Sequence, residues 1–303
     1  MVYKLIYWFL YSFSLLPMRV LYFISDVAYV FLFKVAGYRK KVVMTNLETA
    51  FPGKSVAERN IIAAEFYRNL CDTFIETIKL LSLPAEKFDK MYSLDIGECN
   101  RLVDEGLQLQ VHSGHQMNWE FAHLAFARKI KTLWVGVYMR ITNPHMDKLF
   151  LRIRSRFNSH MVSAQDFGKE MRHIYGKQYA LALIADQNPG WPKNSYWLNF
   201  FGRPAPFMAG PEKGATRNGT AVVFVNFIKV RRGYYRFEPI IVTEDASGMK
   251  EGELTLMYRD FLENSIKAQP SNYLWSHRRW KFSFQPEYSR RWIDHSAPPS
   301  ANR

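Results

Sequence analysis

The feature that most constrains this chain is Val111-His112-Ser113-Gly114-His115-Gln116-Met117-Asn118-Trp119-Glu120, because the hydrophobic period changes across it. Before it, Leu107-Gln108-Leu109-Gln110-Val111 alternates apolar and polar, the period-two pattern of a half-buried strand. After it, Trp119, Phe121, Leu124, Ala125 and Arg128 recur at helical spacing. Strand, short glycine-containing loop and helix in that order point to an α/β sheet. In such sheets ligands gather at the loops leaving the carboxyl ends of strands. His115 stands at this junction and Glu120 follows five residues on. With a helix starting near Met117, a small backbone adjustment joins imidazole and carboxylate. That pair is a base with its orienter, enough to take a proton from a hydroxyl near neutral pH.

The rest of the chain supplies elements of the right length. Pro52-Gly53 marks a turn, and Ser55-x-x-Glu58 is a capping box that opens a helix. Ile62, Phe66, Leu70, Phe74, Ile78 and Leu81 give that helix one apolar stripe for the core, and Pro84 ends it. Strands are expected at 133–138, 179–186 and 195–201, the last turning at Gly202-Arg203-Pro204. A hairpin pairs 221–230 with 234–242, and helices are expected at 143–157, 211–218 and 251–268. This predicts a central mixed sheet flanked by helices. The strand at 179–186 ends on Asp186, followed by Gln187-Asn188-Pro189-Gly190. A carboxylate there faces the same crevice as His115.

Residues 5–16 are almost wholly apolar and aromatic, and a second apolar run spans 20–35. Neither reaches the roughly 20 apolar residues of an ideal membrane span. The segment lacks a small-residue cleavage site and stays hydrophobic too long for a signal peptide. Arg39-Lys40-Lys41 would hold its flank on the cytoplasmic side. It reads as a membrane anchor, spanning or half-embedded, and separable from the site. The formal net charge of +14 fits an anionic membrane surface and an acidic protein partner. No arginine-rich arm or nucleic-acid motif is present. Cys71 and Cys99 are too few for a disulfide framework and read as reduced, structural thiols. His112-x-x-His115 lacks a third ligand at a convincing spacing for zinc. Neither a Gly-x-Ser-x-Gly elbow nor a phosphate-binding glycine loop occurs. The chemistry left is base-assisted attack by a bound hydroxyl, with no covalent enzyme intermediate and no cofactor.

His115-Gln-Met-Asn-Trp-Glu120 resembles the His-x-x-x-x-Glu/Asp motif of the lysophospholipid acyltransferase superfamily, in particular its lipid A late (lauroyl/myristoyl-type) acyltransferases. Further matches are Asn46-Leu47 with Ala50-Phe51-Pro52, the block from Tyr138 to Arg154, and Asp186-Gln187. Phe200-Phe201-Gly202 with Pro204-Ala205, Gly210-Pro211 and the basic-aromatic segment Trp275 to Lys281 continue the pattern. The resemblance covers roughly 40–285 in order. It departs at Met117, where the family commonly has glycine, a change expected to narrow the pocket. It implies a glycerolipid acyltransferase-like fold; with the anchor (1–38) read from the apolar runs and a flexible tail (291–303), where composition suggests disorder from Ser296 on, the acyltransferase domain is expected at 39–290.

The implied reaction moves a fatty acyl chain from acyl carrier protein or acyl-CoA to a hydroxyl of an anionic glycolipid, a lipid A precursor, at the cytoplasmic face of the inner membrane. His115 would be the base, with Glu120 or Asp186 as its orienter. Arg154 would sit near phosphate or the developing oxyanion, and Asn118, Arg140 and Gln187 would help bind substrate. Other acceptor lipids, a thioesterase and a non-catalytic lipid-binding scaffold are the alternatives. Intact His115, Glu120 and Asp186 argue against the scaffold.

Overall fold

The change of period near residue 115 is realised as a strand that gives way to a helix, and the elements on either side build one sheet around it. The computed structural model describes residues 1–299. The chain begins with α1 (Val2–Ser14), α2 (Met18–Val30), a π-helical turn (Phe31–Val35), α3 (Lys40–Ala50), α4 (Val56–Lys79) and α5 (Ala85–Phe88). There follow β1 (Tyr92–Leu94), α6 (Gly97–Asp104), β2 (Leu109–Ser113), α7 (Trp119–Lys129), β3 (Leu133–Tyr138) and α8 (Pro144–Arg154). Next come β4 (His160–Ser163), α9 (Phe167–Met171), β5 (Tyr179–Ile184), β6 (Tyr196–Phe200) and β7 (Arg203–Phe207). The chain continues through α10 (Gly210–Asn218), β8 (Ala221–Arg231), β9 (Tyr234–Thr243) and α11 (Glu253–Ala268).

Seven strands form a mixed sheet in the order β1-β9-β8-β2-β5-β3-β4, and β6 and β7 pair separately. β8, β2, β5, β3 and β4 run parallel, whereas β9 runs against β8 and β1 runs with β9. The helices between parallel strands cover the sheet, so β2 at its centre is buried on both faces. This corrects the half-buried strand expected from the alternation at 107–111. Gln110 and His112 face inward too, side by side at 3.0 Å. The hairpin turn falls at Phe201-Gly202, both at positive φ, and Arg203 already belongs to β7.

α4 begins on the expected capping box, Ser55 with Glu58. Its apolar stripe is buried as far as Leu70, but Phe74 is half exposed. Beyond Leu70 the buried face carries Asp72, Thr73, Glu76 and Thr77 instead. The reason is that α4 is packed on more than one side, and α1 and α2 lie along it. Leu21 and Tyr29 of α2 are buried, and Lys79 on α4 donates to the carbonyls of Ser14 (2.7 Å) and Leu16 (3.0 Å) at the end of α1. The first 38 residues are thus a packed layer of the body, which corrects the separable anchor.

No single helix among the described residues is long and apolar enough to cross a membrane, and α1 meets the helical run Met18–Val35 at 112°. The outer face of this bent pair leaves Leu5, Trp8, Phe9, Phe23, Val27 and Phe31 more than half exposed. At the other end, contacts persist past residue 291, within the expected flexible tail. Ile293 N–H donates to the Trp197 carbonyl at 2.9 Å, and Asp294 accepts from Asn199 N–H at 2.7 Å. Residues 300–303 lie outside the described residues.

Candidate active site

Strand register does the positioning. β2 and β5 are adjacent and parallel, and Ser113 stands opposite Ile184 at their carboxyl ends. Two residues beyond each strand, His115 and Asp186 meet. His115 Nδ1 lies 2.6 Å from Asp186 Oδ1, and the His115 backbone N–H donates to Oδ2 at 3.0 Å. Gly114 permits this approach, since a Cβ there would come within 2.7 Å of Leu262. Asp186 is 1% exposed and the His115 side chain 21%. Burial alone would push the Asp186 carboxyl up. The His115 imidazole, its two hydrogen bonds and the Tyr273 hydroxyl outweigh that and hold it below the usual carboxylate range.

A carboxylate on Nδ1 assigns the ring proton there and leaves Nε2 with a lone pair. Among the described residues no hydrogen-bond partner reaches Nε2, and the Trp119 ring stands edge-on to the imidazole at 5.7 Å. The arrangement can accept a proton from a hydroxyl placed at Nε2. The loop itself is clamped by the chain's C-terminal part. Leu274 N–H donates to the His115 carbonyl (3.0 Å), and Met117 N–H to that of Asn272 (2.9 Å). Asn46, from the Asn46-Leu47 match, in turn donates to the carbonyls of Trp275 (2.8 Å) and His277 (2.6 Å).

Glu120 does not reach His115. The Arg154 Nε donates to both its carboxylate oxygens, at 2.9 and 3.1 Å, and both side chains are largely buried. Burial would raise the Glu120 pKa, but the guanidinium beside it lowers it, so the pair is ionic. His123 secures that pair from below. Its Nδ1 accepts from Trp134 (3.1 Å), which leaves Nε2 to donate to the Arg154 carbonyl at 2.9 Å.

The other expected site residues are placed unevenly. Gln187 follows Asp186 on the same loop and is partly buried. Arg140 lies on the loop after β3, half exposed and paired with Asp166 and Glu170. Asn118 is fully buried, and its polar atoms are already engaged, which corrects its reading as a substrate contact. Its Oδ1 accepts from the N–H groups of Glu120 (3.1 Å) and Phe121 (3.2 Å), capping α7, and its Nδ2 donates to Glu76. Met117 does not narrow the pocket either; it is buried in the core with its sulfur 3.2 Å from the Thr73 hydroxyl. His112 packs against Phe224 and Tyr258, away from His115, and burial pushes its pKa down to about 4. Cys71 and Cys99 are free and buried.

Three residues near the site carry no useful sequence signal. His277 accepts the Asn188 N–H at 3.1 Å, and burial pushes its pKa down to about 4. Arg279 is 1% exposed and stacks over Phe207 at 4.3 Å, with one hydrogen bond to Asn188. Only the basic-aromatic composition of 275–281 hinted at either. Glu76, the third, sits in a helix whose period marked it as unremarkable. A surface depression of about 1050 Å³ lies at the opposite end of β3, beside Arg128, Lys131 and Phe157.

The family described as bacterial lipid A biosynthesis acyltransferase matches residues 2–282. The lipid A biosynthesis palmitoleoyltransferase of Escherichia coli (strain K12) is 26% identical over 256 residues, covering 80% of this chain and 79% of that protein. The lipid A biosynthesis acyltransferase of Shigella flexneri is similar to the same extent.

Proposed function

The chain belongs to the bacterial lipid A biosynthesis acyltransferase family, and from that premise we propose that His115 is the general base of its acyl transfer. Membership makes it an acyltransferase of lipid A synthesis. The observation that carries the assignment is His115 Nδ1 held on a buried, ionised Asp186 at 2.6 Å, with the opposite nitrogen unpartnered among the described residues.

The acceptor hydroxyl of a lipid A precursor gives its proton to His115 Nε2 as its oxygen attacks the carbonyl carbon of an acyl thioester. Asp186 stabilises the imidazolium that forms and keeps the ring in one tautomer. The tetrahedral intermediate collapses by breaking the carbon–sulfur bond, and the thiolate takes the proton from the imidazolium. Ester and thiol leave, and the enzyme is restored. The Glu120–Arg154 pair builds the neighbouring wall, with Arg154, Arg140 and Gln187 toward the anionic parts of the substrates. The donor is acyl carrier protein or acyl-CoA, both anionic and both complementary to a chain of net charge +14.

The bent N-terminal pair lies half-embedded in the inner membrane, with Trp8, Phe9 and Phe23 on its apolar outer face. Arg39, Lys40 and Lys41 keep the body on the cytoplasmic side. Purified His115→Ala tests the assignment. Its transfer rate should fall about 10²–10⁴-fold with membrane association and circular dichroism unchanged. Near-normal turnover would overturn the mechanism.

A further inference from the structure

Beneath the His115 loop lies a buried carboxylate that the mechanism does not use. Glu76 on α4 is fully buried and accepts hydrogen bonds from three other parts of the chain. Tyr22 of α2 donates to Oε1 at 2.9 Å, while Asn118 Nδ2 (2.9 Å) and the Tyr235 hydroxyl of β9 (2.7 Å) donate to Oε2. Asn118 passes the connection on, because its Oδ1 holds the Glu120 and Phe121 N–H groups. Tyr22 is itself tightly seated. Gly233 has φ +73, and a Cβ there would overlap the Tyr22 hydroxyl. The Arg232 guanidinium lies 4.3 Å over the Tyr22 ring.

We propose that Glu76 is a positioning residue that ties the seating of α2 to the loop carrying His115 and to the start of α7. The role of His115 in this statement rests on its assignment as the base. The two carboxyl oxygens have enough lone pairs for all three donors, and the Tyr235 and Asn118 hydrogen bonds oppose the burial that pushes the Glu76 pKa up. Glutamine would turn an amide N–H toward donors already aimed at that spot. The helix so connected is the one whose outer face is apolar, so a lipid surface pressing on α2 acts on the loop through Tyr22, Glu76 and Asn118.

Asp72, one turn earlier on α4, supplies the control. It accepts from Ser25 of α2 at 2.7 Å, and from Arg232 and Lys229, and none of these donors bonds directly to Asn118 or to residues 115–121. Tyr22→Phe and Ser25→Ala therefore each remove one hydrogen bond between α2 and α4 without altering the apolar face. Only the first touches the carboxylate that holds Asn118.

The experiment uses the full chain in mixed micelles of detergent and phospholipid, with a lipid A precursor as acceptor and an acyl thioester as donor. Steady-state kinetics are read beside hydrogen exchange over residues 115–124. Tyr22→Phe should lower kcat about three- to tenfold, the order expected for one hydrogen bond, with the acceptor KM unchanged. It should also speed exchange at Glu120 and Phe121. Ser25→Ala should match the parent in both, and Glu76→Gln should exceed Tyr22→Phe in both. The inference is overturned if Tyr22→Phe and Ser25→Ala behave alike, or if Tyr22→Phe leaves exchange and kcat unchanged. Should Glu76→Gln fail to fold, the Tyr22→Phe comparison alone decides. Exchange is read without turnover, so an active His115→Ala would remove the base while these arms still judge the tie.

Discussion

Asp186→Asn and Glu120→Gln each remove one buried negative charge from the same crevice and should fail in different ways. At Asp186 the two carboxylate oxygens serve two N–H groups of one residue, His115 Nδ1 at 2.6 Å and its backbone at 3.0 Å. Asparagine keeps the volume but can accept on one side only. If its Nδ2 faces the backbone N–H, two donors oppose each other in a buried place, costing about 1–3 kcal/mol. If it faces the ring, it donates to Nδ1, and the imidazole proton moves to Nε2, where the base is needed. Either way kcat should fall about 10²–10⁴-fold while the fold survives. At Glu120 the loss strands Arg154, a largely buried guanidinium, without its counter-charge. Removing one partner of a buried pair costs about 3–5 kcal/mol, which lowers Tm by on the order of 10 °C. Both variants, purified in detergent, would be assayed for thioester-dependent acylation by mass spectrometry and for unfolding by circular dichroism. A folded Asp186→Asn enzyme turning over within about threefold of the parent would refute the reasoning. So would Glu120→Gln retaining its Tm.

Four further outcomes follow from the same geometry. Deleting residues 1–38 should yield an unstable, aggregating protein, because it uncovers α4 and unpairs Asp72 and Glu76 from α2; a well-folded truncation by circular dichroism would contradict this. Trp8→Ser with Phe9→Ser, on the exposed face, should instead keep the fold and weaken pelleting with membranes; unchanged pelleting would count against a half-embedded hairpin. His112 has a folded pKa of about 4 against an ordinary value near 6.5. The unfolded chain therefore binds its proton first, so this stability is complete above pH 6.5 and lost as pH falls toward 4. The loss amounts to about 3 kcal/mol, read as a falling unfolding midpoint between pH 7 and 4.5; a flat profile would refute the burial argument. Treatment with EDTA should leave activity unchanged, since the proposed mechanism activates the oxygen nucleophile with imidazole and His112 points into the core away from His115. Loss on chelation with recovery on adding zinc back would show otherwise.

Much of the architecture was legible because periodicity is local. The helical run after Asn118, the hairpin around Arg231-Arg232-Gly233 and the Ser55–Glu58 box all stand where the chain announces them, and the strand of the period-two run stands two residues later, at 109–113. The short elements β1, α6, β4 and β7 did not show, since three to eight residues carry too little pattern to separate from loop. Gln110 read as part of a solvent face because polarity alternates over 107–111. The helices on the sheet's second side turned that face inward, where each polar group finds a partner.

The amino-acid order by itself determined that His115 stands where a strand gives way to a helix and that Asp186 ends another strand, because both facts depend only on neighbouring residues. Which carboxylate meets the imidazole was decided by tertiary structure alone. Glu120 is five residues from His115, yet the helix that begins at Trp119 turns it toward Arg154 on α8. Asp186 is 71 residues away, yet the parallel register of β2 and β5 brings it within hydrogen-bond reach. The inward acids of α4 were decided the same way. A helix period records which side of one helix is apolar, but not how many sides its neighbours will cover. Glu76 lies buried because α2, β9 and the loop at Asn118 converge on it from three directions, each with a donor to satisfy it.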